Sequence, residues 1–246
     1  DLYKRLDFAA IRTTRGCPFR CPYCSVATLT PKFSKRDTGE VVEEIYRLKK
    51  EFGISNIAFL DDALRCNDDH LTAILEGVIS KGVKVKFHVI NAMHLKGINR
   101  ELAILLKRAG VSTLRFGLET LDEDVAGKIG QKASQDDLTQ SVYFLKKAGY
   151  DSKDIGVYLL LGLPGQRPAQ IESDITSVLS AGAKPYLSQF APVPGSPMWS
   201  EAVVTSKYDI AQEPLFQNNT LTPCAHPELD EKQMSHLKNI IRDWFQ

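Results

Sequence analysis

The sequence lacks any long apolar run. A membrane-spanning helix needs roughly 18 consecutive apolar residues, whereas the longest apolar run here, residues 157–163, has the length of a strand. A signal peptide is also absent. We therefore expect a cytoplasmic protein with no membrane partner.

The sequence also lacks a strong charge imbalance. Its 31 basic and 30 acidic residues give a formal net charge of +1. Nucleic-acid-binding domains usually show a strongly basic balance or a basic stripe. We find neither a strongly basic balance nor a basic stripe here, so the sequence gives no strong nucleic-acid signal.

Cysteine is scarce and unevenly placed. Three of the five cysteines lie between Cys17 and Cys24, and the other two, Cys66 and Cys224, are isolated. A disulfide framework would use an even number of cysteines spread along the chain. The crowded thiols point instead to a reducing compartment and to a metal.

What the sequence does contain is an alternation of short apolar runs with longer segments of helical periodicity. The runs predict six strands, at residues 8–12, 56–60, 85–90, 113–118, 155–161 and 187–192. This order is typical of an α/β fold in which helices cover a parallel sheet, either an open doubly wound sheet or a barrel. After Met198 the alternation gives way to an irregular segment, and a last helix starts near Asp230.

Helix boundaries are marked by capping residues and glycines. The predicted helix starts are at Asp37, Asn67, Asn99 and Ser134. The predicted helix ends are at Gly53, Gly82, Gly110, Gly149 and Gly182.

Polar and glycine residues gather where the predicted strands end. They are Arg15 to Cys17, Asp61 and Asp62, Asn91, Glu119, Gly162 to Gly165, and Pro194 and Gly195. Parallel α/β folds build their sites at the C-terminal ends of strands. The sequence therefore predicts one site at this edge of the sheet.

The loop after the first strand carries Cys17, Cys21 and Cys24, spaced as Cys-x3-Cys-x2-Cys. Three thiolates on one loop can hold an iron–sulfur cluster, and a cubane with only three protein ligands keeps one iron open for chemistry. Two alternatives stay open at this point. One is a structural zinc site completed by Cys66, Cys224 or a histidine, and the other is an electron-transfer module.

This cysteine spacing, with aromatic Tyr23 just before the last cysteine, resembles the radical S-adenosylmethionine (SAM) superfamily over nearly the whole chain. The resemblance implies a partial (β/α)6 barrel of the TIM type. It implies that Cys17, Cys21 and Cys24 hold a catalytic [4Fe–4S] cluster whose open iron binds SAM. It also implies reductive cleavage of SAM to a 5′-deoxyadenosyl radical, which removes hydrogen from a substrate.

The resemblance assigns SAM-binding roles to residues near the cysteine loop. Tyr23 matches the family aromatic beside the adenine, with a packed loop residue as the alternative. Asp61 and Asp62 stand where many relatives have a Gly-Gly-Glu motif for the SAM ammonium group. This sequence departs from that motif, yet a carboxylate at this position could bind the ammonium group in the same way through charge-assisted hydrogen bonds. The alternative is that the two carboxylates cap the following helix.

Strand 113–118 places Arg115 and Glu119 on one face, opposite an apolar face. Relatives use a residue near Glu119 for the SAM ribose or amino group. The alternative is a structural salt bridge between Arg115 and Glu119. Lys132 could meet the SAM carboxylate, but we expect it to face solvent.

The segment from Leu160 through Gly162 to Pro164 resembles the family's adenine-binding segment, in which backbone groups pair with the base. The alternative is an ordinary tight turn. Asn91 is a candidate substrate contact, and His88 and His94 are expected to be structural.

The runs at residues 156–166 and 213–220 resemble a subgroup of uncharacterised radical SAM proteins that usually carry an N-terminal cobalamin-binding domain. Cobalamin would then be held by a domain outside this chain, and methyl transfer becomes plausible. We expect a core barrel at residues 1–200 and a C-terminal extension at 201–246 that packs on it. The partners implied are a small-molecule substrate and a reductant such as flavodoxin or ferredoxin, with a transfer-RNA-modifying enzyme as runner-up.

Overall fold

The predicted alternation is present in the computed structural model, which describes residues 7–66 and 68–246. The strands are β1 (Phe8–Ile11), β2 (Thr14–Arg15), β3 (Ser34–Lys35), β4 (Asn56–Phe59), β5 (Lys86–Val89), β6 (Met93–His94), β7 (Val111–Glu119), β8 (Ile155–Leu161) and β9 (Lys184–Gln189). The helices are α1 (Val26–Leu29), α2 (Thr38–Phe52), α3 (Asp68–Ser80), α4 (Arg100–Arg108), α5 (Glu123–Ile129), α6 (Gln135–Lys147), α7 (Pro168–Ala181), α8 (Trp199–Thr205) and α9 (Glu231–Trp244). Two short 3-10 helices follow α8, at Pro214–Gln217 and Asn219–Leu221.

Six of the strands form one parallel sheet in the order β1-β4-β5-β7-β8-β9. Strand β6 pairs with β7 on the same side as β5 and is parallel to it. Strands β2 and β3 form a separate antiparallel hairpin. Within the described residues, β1 and β9 are the unpaired edges, so the sheet does not close. All six predicted strands are found, although the last begins at Lys184, three residues before its predicted start.

Successive helices pack on one another in chain order, α2 on α3, α3 on α4, α4 on α6, α6 on α7 and α7 on α9. A doubly wound sheet would instead split its helices between two faces. A single outer layer of helices around a curved parallel sheet matches the partial barrel and decides between the two predicted architectures.

Local sequence explains the helix boundaries. The side chains of Asp37, Asn99 and Asp230 each accept a hydrogen bond from the backbone N–H three residues later, and Ser134 forms a capping box with Asp137. The predicted start at Asn67 lies outside the described residues. In the described ranges no helix is long and apolar enough to cross a bilayer.

The main core lies between the sheet and the outer helices. In β7, Leu114, Phe116 and Leu118 are fully buried there, as the predicted alternation requires. A second apolar cluster includes Leu160, Leu163 and Cys224 and ties the C-terminal segment to the strand ends. The division of the chain at residue 200 stays a prediction.

Candidate active site at the strand ends

The cysteine loop runs from the end of β2 to α1 and is supported by the β2–β3 hairpin. Gly16 opens the loop with a φ of 78°, and a Cβ atom on Gly16 would lie only 2.8 Å from the carbonyl oxygen of Lys32. Glycine is therefore required on both conformational and steric grounds. Cys17, Cys21 and Cys24 are free thiols and all three are half-buried.

Asp61, just beyond β4, fixes the start of this loop. Its Oδ1 accepts hydrogen bonds from the backbone N–H and the hydroxyl of both Thr13 and Thr14, at 2.5–2.9 Å. Asp62 Oδ2 accepts from Gly16 N at 3.1 Å. Neither carboxylate caps a helix, since α3 begins only at Asp68. The sequence reasoning missed this anchoring role.

The three thiols suit an iron–sulfur cluster in number and in their spacing along one loop. Burial raises the pKa of the Cys17 thiol, and the nearby Cys21 and Cys24 raise it further, so both of these thiols lie close to Cys17. Cys66 lies close enough to Cys17 to be affected in the same way. In the described residues no three cysteine, histidine or acidic side chains yet stand in a metal-binding arrangement, so the ligation stays a prediction.

Glu119 ends β7 in a strained backbone conformation. Its φ of 69° lies in the left-handed region, which is rare for a residue other than glycine, and the β7–β8 register shifts between Gly117 and Glu119. Strain of this kind is retained mainly where the surroundings impose it, often at functional sites.

Lys132 is the ion-pair partner of Glu119, with its Nζ 2.7 Å from Glu119 Oε1. The prediction of a solvent-facing Lys132 is therefore wrong, because only 17% of its side chain is exposed. Burial alone would lower the pKa of Lys132, but the Glu119 carboxylate raises it above its usual value. An unpaired charge is costly to bury. The position of Glu119 on the inner face of β7 could therefore have predicted that a cationic side chain lies next to it.

Tyr23 joins the cysteine loop to this ion pair. Lys132 Nζ lies 5.5 Å from the centre of the Tyr23 ring. Burial, followed by the negative charge of Glu119, raises the pKa of the Tyr23 phenol. The hydroxyl is buried and meets no partner at full hydrogen-bond geometry among the described residues, but it lies close enough to Cys21 and Glu119 for both to raise its pKa.

Arg115 does not pair with Glu119, so the predicted alternative of a structural salt bridge between these two residues is wrong. Its guanidinium stacks over the Tyr186 ring at 4.3 Å and donates to the Tyr186 hydroxyl at 3.0 Å. Gly156 leaves room for it, because a Cβ atom there would lie 2.6 Å from the Arg115 side chain. A SAM-binding role for Arg115 stays a prediction.

The predicted adenine-binding segment is a turn held by Gln166. This fully buried side chain donates to the Leu160 carbonyl at 3.0 Å and accepts from Leu163 N at 3.3 Å. Those two backbone groups are thus already satisfied. Backbone pairing with a base would depend on Gly162, which has a φ of 81°, and on Pro164. This role of Gln166 was not predicted.

A cavity of about 750 Å³ opens beside the cysteine loop, within the size range of small-molecule sites. Its lining includes Phe19, Cys21, Arg65, Cys66, His94 and Lys132. The cavity thus reaches from a predicted cluster ligand to the Glu119–Lys132 pair.

Arg65 and His94 were not predicted as site residues. Arg65 is buried and donates to the His94 and Lys96 carbonyls at 2.8 and 2.5 Å, which shapes the cavity wall. The His94 ring packs on Phe19 with 4.0 Å between ring centres. Burial, helped by Lys132 and Arg65, lowers the pKa of His94 to about 4.

The other polar residues expected near this edge are structural. His88 bridges Thr113 and Asn56 at 2.9 and 3.1 Å, as predicted. Asn91 was a candidate substrate contact, but its amide donates to the Asp61 carbonyl at 3.0 Å and so braces the loop anchor.

Comparison with known proteins agrees with this architecture. The sequence pattern of the Radical SAM superfamily matches residues 11–178. An uncharacterized methyltransferase of Pyrococcus horikoshii is 27% identical over 84% of this chain and 45% of its own length. The hopanoid C-3 methylase of Methylococcus capsulatus is 23% identical over 57% of this chain and 27% of its own length.

Among solved structures, the radical SAM methyltransferase TsrM of Kitasatospora setae superposes with a TM-score of 0.70 at 20% identity, over 82% of this chain and 40% of that one. Coproporphyrinogen III oxidase of Escherichia coli superposes with a TM-score of 0.67 at 12% identity, over 98% of this chain and 54% of that one. The chain thus spans about half or less of these proteins. Since the family pattern covers well over half of the sequence, the chain belongs to the radical SAM superfamily of enzymes.

Proposed function

We propose that this protein cleaves SAM reductively with a [4Fe–4S] cluster on Cys17, Cys21 and Cys24. The bound cluster would supply one electron to the sulfonium, so that the S–C5′ bond breaks to methionine and a 5′-deoxyadenosyl radical, which takes a hydrogen atom from the substrate. The observation that carries the proposal is a cavity lined by both Cys21 of the cysteine loop and Lys132. Lys132 is in turn paired with Glu119 and lies beside the Tyr23 ring.

The ion pair suits the amino-acid end of SAM. A buried carboxylate and a buried ammonium at 2.7 Å are complementary to the ammonium and carboxylate of a zwitterion. When SAM binds, Glu119 would pair with the SAM ammonium and Lys132 with the SAM carboxylate. Every buried charge would then still have a partner of opposite sign, which a buried site requires. Glu119 would therefore take the role that the Gly-Gly-Glu motif has in relatives.

Asp61 and Asp62 support the site from behind. Since Asp61 Oδ1 and Asp62 Oδ2 already hold the backbone that leads into Cys17, their role in this proposal is to fix the direction in which the thiols leave the loop. Tyr23, whose buried hydroxyl lies beside Cys21 and Glu119, would cover the cofactor and help to keep water out.

We further propose methyl transfer as the reaction class, because relatives of this chain include proteins named as methyltransferases. Cobalamin, if used, would be bound outside this sequence, which lacks an Asp-x-His-x-x-Gly run. The nearest match, Asp68 to Ala73, has alanine for glycine and lies within α3.

The test is electron paramagnetic resonance of anaerobically reconstituted, dithionite-reduced protein with and without SAM. A [4Fe–4S]⁺ signal that changes shape on SAM addition supports the proposal. A signal indifferent to SAM would favour the electron-transfer alternative, and folded protein that binds zinc but no cluster would favour the structural one.

The matched variants are Cys21→Ala and Cys224→Ala. Cys224 is buried in the second apolar cluster and belongs to the C-terminal segment, not to the cysteine loop. We expect Cys21→Ala to abolish both the cluster signal and the release of 5′-deoxyadenosine, while Cys224→Ala keeps both. SAM cleavage retained by Cys21→Ala would refute the proposal.

A further inference from the structure

The charge of this chain is unevenly distributed around the cysteine loop. Residues 8–36 contain six basic residues and no acidic residue. The other residues of the chain therefore carry 25 basic and 30 acidic side chains. The expectation of no basic stripe, drawn from the overall balance, is wrong for this segment.

All six basic side chains of the segment are exposed. We call them the basic surface: Arg12, Arg15, Arg20, Lys32, Lys35 and Arg36. They lie on the cysteine loop and on the hairpin that supports it, where Arg15 pairs with Ser34 and Thr14 with Lys35. The thiol loop is therefore framed by positive charge on its solvent side.

Most of this charge is not used inside the protein. Arg36 pairs with Glu44 at 2.6 Å, and Arg12 donates to the Leu60 carbonyl. The side chains of the other four, Arg15, Arg20, Lys32 and Lys35, make no hydrogen bond or ion pair with any residue that the structure describes. Their charges are available to a partner.

Two apolar side chains stand among these charges. Leu29, at the end of α1, is 76% exposed, and Phe19, on the cysteine loop, is 40% exposed. Protein interfaces commonly combine an apolar centre with a polar rim that is complementary in charge. The basic surface has both components.

We propose that the basic surface is the docking site of an acidic electron-donor protein, a deeper claim that rests on the proposed function. One electron would pass from the reduced donor to the oxidised cluster, with no proton or bond exchanged. Electrostatic attraction between a basic patch and an acidic partner speeds encounter and orients it, and here it would bring the donor onto the loop that holds the cluster.

A nucleic acid is the other anionic macromolecule that such a surface attracts. The observations favour the protein donor because the charge is concentrated on the thiol loop and its hairpin, whereas the rest of the chain carries an excess of acidic residues. A long phosphate backbone that extended beyond the loop would meet repulsion there.

The test compares two triple variants of the cluster-loaded protein. The first, Arg15→Gln/Lys32→Gln/Lys35→Gln, removes half of the basic surface. The control, Lys146→Gln/Lys147→Gln/Lys153→Gln, removes the same charge from exposed positions on and after α6. Stopped-flow absorbance follows cluster reduction by flavodoxin hydroquinone at low and high salt.

At low salt we expect the second-order rate constant to fall by roughly 10-fold or more in the first variant and to stay within about twofold of wild type in the control. High salt should remove most of the difference, because screening weakens surface attraction. Equal rates for the two variants at low salt would overturn the docking proposal.

Reduction by photoreduced deazaflavin, a small molecule, separates the two proposals. Equal deazaflavin rates in all three proteins show that the clusters are intact, and a flavodoxin defect then supports the docking site. If deazaflavin reduced no cluster in the wild-type protein, the result would contradict the proposed function and not only the docking site. A third outcome would identify the partner as a nucleic acid. In that case wild-type protein binds a labelled single-stranded RNA tightly, the first variant loses this binding, and its rate of reduction by flavodoxin is unchanged.

Discussion

Asp61 and Glu119 are both buried carboxylates at the C-terminal edge of the same sheet, with 1% and 7% of their surface exposed. Asp61 accepts four hydrogen bonds from neutral donors of Thr13 and Thr14. Glu119 instead sits at a φ of 69° and faces one charged partner, Lys132. The four neutral donors on Oδ1 make Asp61 part of the scaffold, while its buried Oδ2 has no hydrogen-bond partner among the described residues. A carboxylate held in strain against a cation, as Glu119 is, can exchange that cation for a ligand.

Position at a strand end therefore does not by itself identify a ligand-binding carboxylate. What separates the two is the nature of the donors and the strain of the backbone, and neither is visible in the local sequence. The predictions below test this division of labour, from the largest expected effect to the smallest.

Asp61→Asn should lower the free energy of unfolding by about 3 kcal/mol or more, since the bonds to a charged acceptor weaken and a buried donor is introduced. Asp62→Asn is the matched control, because Asp62 accepts one bond from Gly16 N and should cost about 1 kcal/mol. Urea denaturation measures both. Equal losses would show that Asp61 is no more of an anchor than Asp62.

Glu119→Ala and Glu119→Gly should both weaken SAM binding by about the same factor, because both remove the carboxylate. They should differ in stability, with Glu119→Gly the more stable by about 1–2 kcal/mol, since glycine adopts a positive φ without strain. Urea denaturation gives the stabilities, and equilibrium dialysis with SAM gives the affinities. Equal stability would mean that the backbone at this position is not strained.

Gly117→Ala should weaken SAM binding with a stability cost of about 1–3 kcal/mol. Its Cβ would lie 2.8 Å from Glu119 Oε1 and 3.4 Å from Lys132 Nζ, so the pair must move. In Gly127→Ala, within α5, the added Cβ meets nothing within 4 Å, and the variant should be more stable by about 0.5–1 kcal/mol. Unchanged SAM affinity in Gly117→Ala would separate the pair from the cofactor.

The smallest effect concerns pH. The pKa of His94 is lowered to about 4 in the folded protein, against about 6.5 in an unfolded chain. Between these values the unfolded state binds more protons, so stability decreases as pH falls from 6.5 towards 4. His94→Gln should flatten this part of the stability curve measured by thermal unfolding. A slope as steep as in wild type would assign it to other groups.

The fold was largely predictable because it depends on periodicity and on caps that act over three or four residues. Ser134 and Asp137 form their capping box from adjacent sequence alone. The start of β9 at Lys184 was missed, because Lys184 and Pro185 interrupt the apolar pattern. The cysteine loop was found because its residues are consecutive.

The rest of the site depends on contacts that periodicity does not encode. Asp61 meets Thr13 and Thr14 across 47–48 residues of sequence, and Lys132 reaches Glu119 from beyond α5. Gln166 closes its own turn, but a glutamine after Pro164 and Gly165 carries no local signal for that role.

The open edges of the six-stranded sheet have a mechanical consequence. In a closed barrel the strand number and stagger fix the diameter, whereas in the part of the chain that the structure describes no ring of hydrogen bonds sets the distance between β1 and β9. Small changes of twist at each strand pair add up across the sheet. We therefore expect the distance between β1 and β9 to vary and to adjust to the size of the bound substrate. Spin labels at Ala10 and Ser188, on the two edge strands, would report this width as a broad distance distribution by double electron–electron resonance, and a single sharp distance would argue for a rigid wall.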